Sequence, residues 1–131
     1  MILIVDDDPM FLQQARSQLA GASERGVYFA GDATEALNLA SKLGSDLSLA
    51  LIDLDLPGPN GFELILEIRN RFPRLPVIAI SGVAHVKVLE CEKVFGAAEV
   101  LSKPITRKWN DAIQRVLKLG RQTSDATGTP G

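Results

Sequence analysis

Residues 47–61 read Leu47-Ser48-Leu49-Ala50-Leu51-Ile52-Asp53-Leu54-Asp55-Leu56-Pro57-Gly58-Pro59-Asn60-Gly61, and this stretch decides the fold. Its first six residues are apolar except Ser48 and do not alternate with polar ones, as expected of a strand covered on both faces. The run stops at a carboxylate, Asp53. A Pro/Gly-rich turn follows. Residues 61–72 then show apolar positions at helical spacing, and Asn60 and Glu63 stand three apart as in a capping box.

The same alternation extends in both directions. Short apolar runs at 2–5, 27–30, 77–80 and 100–101 join the one at 47–52 as expected strands. Helical periods fill 9–20, 33–43, 61–72, 84–95 and 106–119, with Ala36, Leu37, Ala40 and Leu43 on one face, and Trp109, Ile113, Val116 and Leu117 on another. Asp32 and Glu35 repeat the capping-box spacing. Gly44, Gly96 and Gly120 stand where helices are expected to stop. Alternation of this kind yields a parallel sheet with helices on both faces and right-handed crossovers. Five strands suit the flavodoxin-like (βα)5 arrangement, an α/β fold of order 2-1-3-4-5. The expected domain is 1–119. Residues 120–131, rich in Gly, Thr and Ser, read as a flexible tail or the start of a linker to a further domain.

Composition narrows the function. At 131 residues the chain is one domain, 46% hydrophobic and 23% charged, in the globular range. Fourteen basic against sixteen acidic residues give a net charge of −2, which argues against coating nucleic acid or an anionic membrane. The single cysteine, Cys91, excludes an internal disulfide and a cysteine-cluster zinc site, and fits a reducing compartment. Met1 to Val5 lacks the basic start and the length of a signal peptide, and no apolar run approaches the ~20 residues of a membrane span. A cytoplasmic location is expected.

In a parallel sheet every strand ends on the same edge, and ligands bind outside those ends. Asp6, Asp7 and Asp8 follow the first expected strand, Asp53 and Asp55 the third, Ser81 the fourth, and Lys103-Pro104 the fifth. Several carboxylates, a hydroxyl and an ammonium thus share one rim. Carboxylates crowded together repel unless a cation joins them. Their hard oxygens suit Mg²⁺, while Lys103 and Ser81 offer a charge and a donor to phosphoryl oxygens. The set describes a phosphoryl-transfer site with an aspartate as nucleophile.

Asp6-Asp7, Asp53 in Ile-Asp-Leu-Asp-Leu-Pro-Gly-Pro-Asn-Gly, Ser81 in Ala-Ile-Ser-Gly, and Lys103-Pro104 resemble the receiver domains of two-component response regulators. The likeness covers 2 to about 119, with 28 residues from Asp53 to Ser81 and 22 from Ser81 to Lys103. It implies that Asp53 accepts the phosphoryl group from a sensor histidine kinase or a phosphotransfer protein. It implies Mg²⁺, or Mn²⁺, held by Asp7 directly, by Asp6 through water, by Asp53, and by the backbone carbonyl of Asp55. Ser81 corresponds to the switch hydroxyl, Lys103 to the lysine that meets the phosphoryl oxygens, and the Lys103-Pro104 bond to a cis peptide. The implied output is a change on the face made by the fourth helix, fifth strand and fifth helix. That face would be read by a downstream effector, a C-terminal output domain, or a second copy in a phosphorylation-dependent homodimer. Direct binding of nucleic acid or membrane is not expected. Nor is enzymatic turnover expected beyond self-catalysed transfer of the phosphoryl group from its donor and slow autodephosphorylation.

One position departs from the family: Val100 stands where an aromatic residue often moves with the hydroxyl. Outside the rim, Asp8 reads as solvated or as favourable beside the first turn of helix 1, where Pro9 suits the start. His85 reads as a surface histidine, Cys91 as a small hydrophobe and Trp109 as a core anchor. A haloacid-dehalogenase-type phosphatase would also use an Asp-x-Asp such as Asp53-Leu54-Asp55, but after its first strand and with a cap domain. A pseudo-receiver that binds partners without phosphorylation is the remaining alternative.

Overall fold

The computed structural model describes residues 1–57, 61–82 and 96–128. Strand β1 (Ile2–Val5) is followed by helix α1 (Pro9–Leu19), a 3-10 turn at Ala20–Ala22, β2 (Val27–Ala30) and α2 (Ala33–Leu43). A second 3-10 turn at Gly44–Asp46 leads to β3 (Leu49–Asp53), then α3 (Gly61–Arg71), β4 (Val77–Ser81), β5 (Glu99–Ser102) and α4 (Arg107–Gly128). The helix expected over 84–95, with His85 and Cys91, lies outside the described residues, as does Asn60 of the second capping pair. All five strands are parallel, in the order β2-β1-β3-β4-β5. The expected topology is observed.

The period-2 geometry of the strands sorts their side chains into two cores. Leu3, Val5, Ala50, Ile52, Val77 and Ala79 face α2 and α3 and pack with Ala36, Ala40, Leu64, Ile65 and Ile68. Ile2, Ile4, Leu49, Leu51, Ile78 and Ile80 face α1 and α4 and pack with Phe11, Ala15, Leu19, Trp109, Ile113 and Val116. Because both faces are covered, β1, β3 and β4 are apolar at nearly every position and buried throughout. Each fully buried Leu or Ile contributes about 1.5–3 kcal/mol of apolar transfer. Edge strand β2 is only half-buried.

Local chemistry sets the ends of the helices. Asp8 caps α1, its Oδ1 accepting from Met10 N–H at 3.0 Å, with Pro9 at the first helical position. The acidic group expected to be merely favourable there is a capping ligand. Asp32 caps α2 by accepting from Glu35 N–H at 2.8 Å. Glu35 returns its own bond to Gly31 N–H at 3.0 Å rather than to Asp32, so the box is displaced by one residue. Gly44 and Gly96 adopt the positive φ expected of them, +55° and +76°.

Gly120 does not stop the last helix. Helix α4 runs on to Gly128, through most of the stretch expected to be a tail. An interior glycine costs a helix about 1 kcal/mol without forcing it to end, and no proline lies between Pro104 and Pro130. Strand β3 begins at Leu49 rather than 47, because Leu47 N–H closes the preceding turn on Gly44 and Ser48 N–H bonds Met1. Among the described residues no helix is long and apolar enough to cross a membrane.

Candidate functional site

Strand register brings the rim together. Val5 pairs with Ile52, so Asp6 and Asp53 fall side by side where β1 and β3 end. Asp53 pairs with Ile80 and Ser81 with Ser102, which places Lys103 one step beyond the edge of β5. Three ladder-like bonds extend past the strand ends and fix the turns: Asp6 N–H to Ala30 (3.1 Å), Leu54 N–H to Ile80 (2.9 Å) and Lys103 N–H to Ser81 (2.9 Å). The Lys103-Pro104 peptide is cis.

The carboxylates are held by their own turns. Asp6, fully buried, accepts from Asp8 N–H at 2.9 Å through Oδ1, and its Oδ2 lies 2.7 Å from Lys103 Nζ. Asp53, 2% exposed, accepts from Asp55 N–H at 3.0 Å through Oδ1, leaving Oδ2 3.6 Å from Lys103 Nζ. Asp7 is exposed, yet one carboxylate oxygen each from Asp6, Asp7 and Asp53 lie within 4.8 Å of one another. The carboxylate of Asp55 is exposed and does not belong to that trio; it lies beside Gly82, whose absent Cβ would meet its Oδ2 at 3.7 Å. Ser81 is buried at the same edge.

These surroundings raise the proton affinities of both Asp53 and Lys103, for different reasons. Burial pushes the Asp53 carboxyl up to about 6, aided by the charges of Asp6 and Asp55 and opposed by the Asp55 N–H and by Lys103. Burial alone would lower the Lys103 ammonium. The hydrogen bond to Asp6 and the charges of Asp53, Asp6 and Asp8 outweigh it, and the net direction is upward. One ammonium among three carboxylates leaves the pocket negative. An all-oxygen, all-carboxylate donor set is chemically suited to a hard divalent cation and would relieve the repulsion felt by Asp53.

Two neighbours of the site were not legible as such in the sequence. A Cβ on Gly61 would overlap the carbonyl oxygen of Asp53 and come within 2.6 Å of Leu54 Cα, so the start of α3 rests directly on the backbone that carries Asp53. Phe11 of α1 lies under the Lys103 ammonium, 4.5 Å from Nζ to the ring centroid. Helical spacing marks Phe11 as core, and only tertiary structure shows which cation it meets. Trp109 is the core anchor expected of it, 1% exposed, with its Nε1–H bonded to the Ser102 carbonyl at 3.0 Å.

A sequence profile of the response regulator receiver domain matches residues 2–115, most of the chain. The chain belongs to the response regulator receiver domain family. This receiver is 31% identical over 118 residues to the glycerol metabolism activator of Pseudomonas putida, covering 88% of this chain and 53% of that protein. It is 33% identical over 119 residues to the sensor histidine kinase RcsC of Escherichia coli, covering 91% of this chain and 12% of that one. The receiver thus spans about half, or much less, of the length of these relatives. Among solved structures it superposes on a receiver domain protein from Clostridium thermocellum with a TM-score of 0.84 at 25% identity, covering 93% of this chain and 97% of that one. A CheY-like receiver from Methanospirillum hungatei gives 0.78 at 28%, covering 93% and 96%. Family membership disposes of the phosphatase alternative, in which Asp53 would have followed the first strand.

Proposed function

We propose that this receiver takes a phosphoryl group onto Oδ2 of Asp53, from a phosphohistidine on a sensor kinase or phosphotransfer protein. The observation that carries the reading is the convergence of the Asp6, Asp7 and Asp53 carboxylates with Lys103 against two of them. With Oδ1 of Asp53 engaged by the Asp55 N–H, Oδ2 is the oxygen left to attack. It forms the new P–O bond as the P–N bond to imidazole breaks, and the leaving imidazole takes up a proton.

Mg²⁺ or Mn²⁺ would be held by Asp6, Asp7, Asp53 and the Asp55 carbonyl, and would supply neutralisation of the approaching phosphoryl oxygens. The chain's own residues do the remainder. Lys103, oriented by Asp6, exchanges part of its contact with Asp53 for a phosphoryl oxygen. The Ser81 hydroxyl, at the same edge, donates to another. Buried walls around Asp53 keep bulk water away from the oxygen that reacts.

The added charge, close to two negative units, alters the partners of Lys103 and Ser81 and biases the surface around β5 and α4. That surface is where an effector, an output domain or a second phosphorylated copy would dock, in a cytoplasmic setting. The experiment is incubation of the wild type and Asp53→Asn with acetyl phosphate and Mg²⁺. Labelling of the wild type alone is the expected result. Equal labelling of both refutes the assignment of Asp53, and no labelling of either favours a receiver that works without phosphorylation.

A further inference from the structure

The acidic cluster accounts for only one part of the Lys103 environment. Its ammonium also stands over the face of Phe11, 4.5 Å from the centroid. Phe11 is 4% exposed, and its ring meets that of Trp109 with centroids 5.7 Å apart and planes tilted by 51°. The indole Nε1–H donates at 3.0 Å to the carbonyl of Ser102, the residue directly before Lys103. One aromatic pair, joining α1 to α4, therefore holds the lysine at both ends: Phe11 at the ammonium, Trp109 at the backbone.

We propose that Phe11 and Trp109 are positioning residues for Lys103 in phosphoryl transfer, Phe11 by a cation–π contact and Trp109 by fixing both that ring and the end of β5. A lysine ammonium is a strongly hydrated point charge on a flexible stem. At 24% side-chain exposure Lys103 has access to water, and without an anchor it would divide its time between solvent and Asp6. The ring attracts the charge through its quadrupole and removes water from one side of it. The ammonium then remains within reach of Asp53 Oδ2, where the transferred group arrives. An aliphatic side chain of similar size would fill the same space and exert no pull. The role thus depends on aromaticity rather than volume, and this separates it from ordinary core packing.

The inference rests on the phosphoacceptor reading above, and its test keeps the two apart. Phosphorylation by acetyl phosphate with Mg²⁺ is followed as rate against donor concentration in the wild type, Phe11→Leu, Phe11→Tyr and Trp109→Phe. Phe11→Leu is expected to lower the maximal rate about two- to thirtyfold, the span of a cation–π contact, with the donor concentration at half-maximal rate little changed. Phe11→Tyr restores the rate. In parallel, NMR of the unaltered protein should find the Lys103 ε-methylene protons upfield of ordinary lysine, shielded by the ring. They return to ordinary positions in Phe11→Leu and stay shielded in Trp109→Phe, which keeps a ring but frees the Ser102 carbonyl and slows transfer. Absence of phosphorylation in the wild type defeats the phosphoacceptor reading. Normal phosphorylation with Phe11→Leu as fast as wild type, or Phe11→Tyr as slow as Phe11→Leu, overturns the positioning role. So do unshielded Lys103 protons in the wild type, a measurement that needs no variant to fold.

Discussion

Lys103 Nζ lies 2.7 Å from Oδ2 of Asp6, a carboxylate with no solvent exposure. A buried charge with a partner is tolerated, and one stripped of its partner is not. Lys103→Ala is therefore expected to destabilise the fold by on the order of 2 kcal/mol at pH 7 while leaving the three carboxylates in place. Urea unfolding measures the first effect. Divalent-ion binding should persist in a Mg²⁺ titration while phosphorylation by acetyl phosphate slows. Unchanged stability together with unchanged phosphorylation would count against the pairing.

Asp53 contributes in the opposite sense. Its carboxyl is pushed from 3.8 to about 6 by burial, so between those values the folded state binds more protons than the unfolded one. Its contribution to stability is then complete below pH 3.8 and is lost as pH rises through about 6. In metal-free buffer, Asp53→Asn should exceed the wild type by on the order of 2 kcal/mol at pH 7 and match it near pH 4. Unfolding curves at the two pH values, taken with a chelator present, check this. A difference independent of pH would show that Asp53 is not strained by burial.

Asp7 is exposed, unlike Asp6 and Asp53. Asp7→Asn should change metal-free stability by less than about 0.5 kcal/mol, as ordinary surface substitutions do. Mg²⁺ affinity should nevertheless fall, because one of three converging carboxylates loses its charge. Isothermal titration with MgCl₂ distinguishes the two effects. Unaltered affinity would remove Asp7 from the ligand set.

Gly61 touches the site through the backbone. Its absent Cβ would overlap the Asp53 carbonyl, so Gly61→Ala must push α3 away from β3. A loss of about 1–3 kcal/mol is expected, as for overpacking, with slower phosphorylation because the turn carrying Asp53 moves with it. Thermal unfolding and the acetyl phosphate assay measure both. An alanine variant as stable and as reactive as wild type would contradict the close approach.

The strands and the acidic rim are legible because four of the five apolar runs stop at a polar residue, the exception being 27–30 before Gly31, and a parallel sheet gathers such stops at one edge. Asp53 after Ile52 and Lys103 after Ser102 needed no contact information. Contacts across elements were less legible. Phe11 reads as one more apolar residue on the buried face of α1, and its meeting with Lys103 depends on how α1 settles against β5 and α4. Trp109 was legible as core, but the partner of its indole N–H was not. Gly61 reads as part of a turn, although its close approach to Asp53 requires the register of α3. Gly120 resembles a helix stop, yet α4 continues through it, as a helix can through a single glycine.

If Asp53 is the acceptor within a divalent-ion pocket, the modified residue can be located directly. The wild type would be phosphorylated with acetyl phosphate and Mg²⁺, reduced with borohydride to convert any acyl phosphate to homoserine, then digested and sequenced by mass spectrometry. Homoserine is expected at position 53, dependent on Mg²⁺ and absent in chelator. Homoserine at another aspartate, or the same yield without the metal, would contradict that assignment.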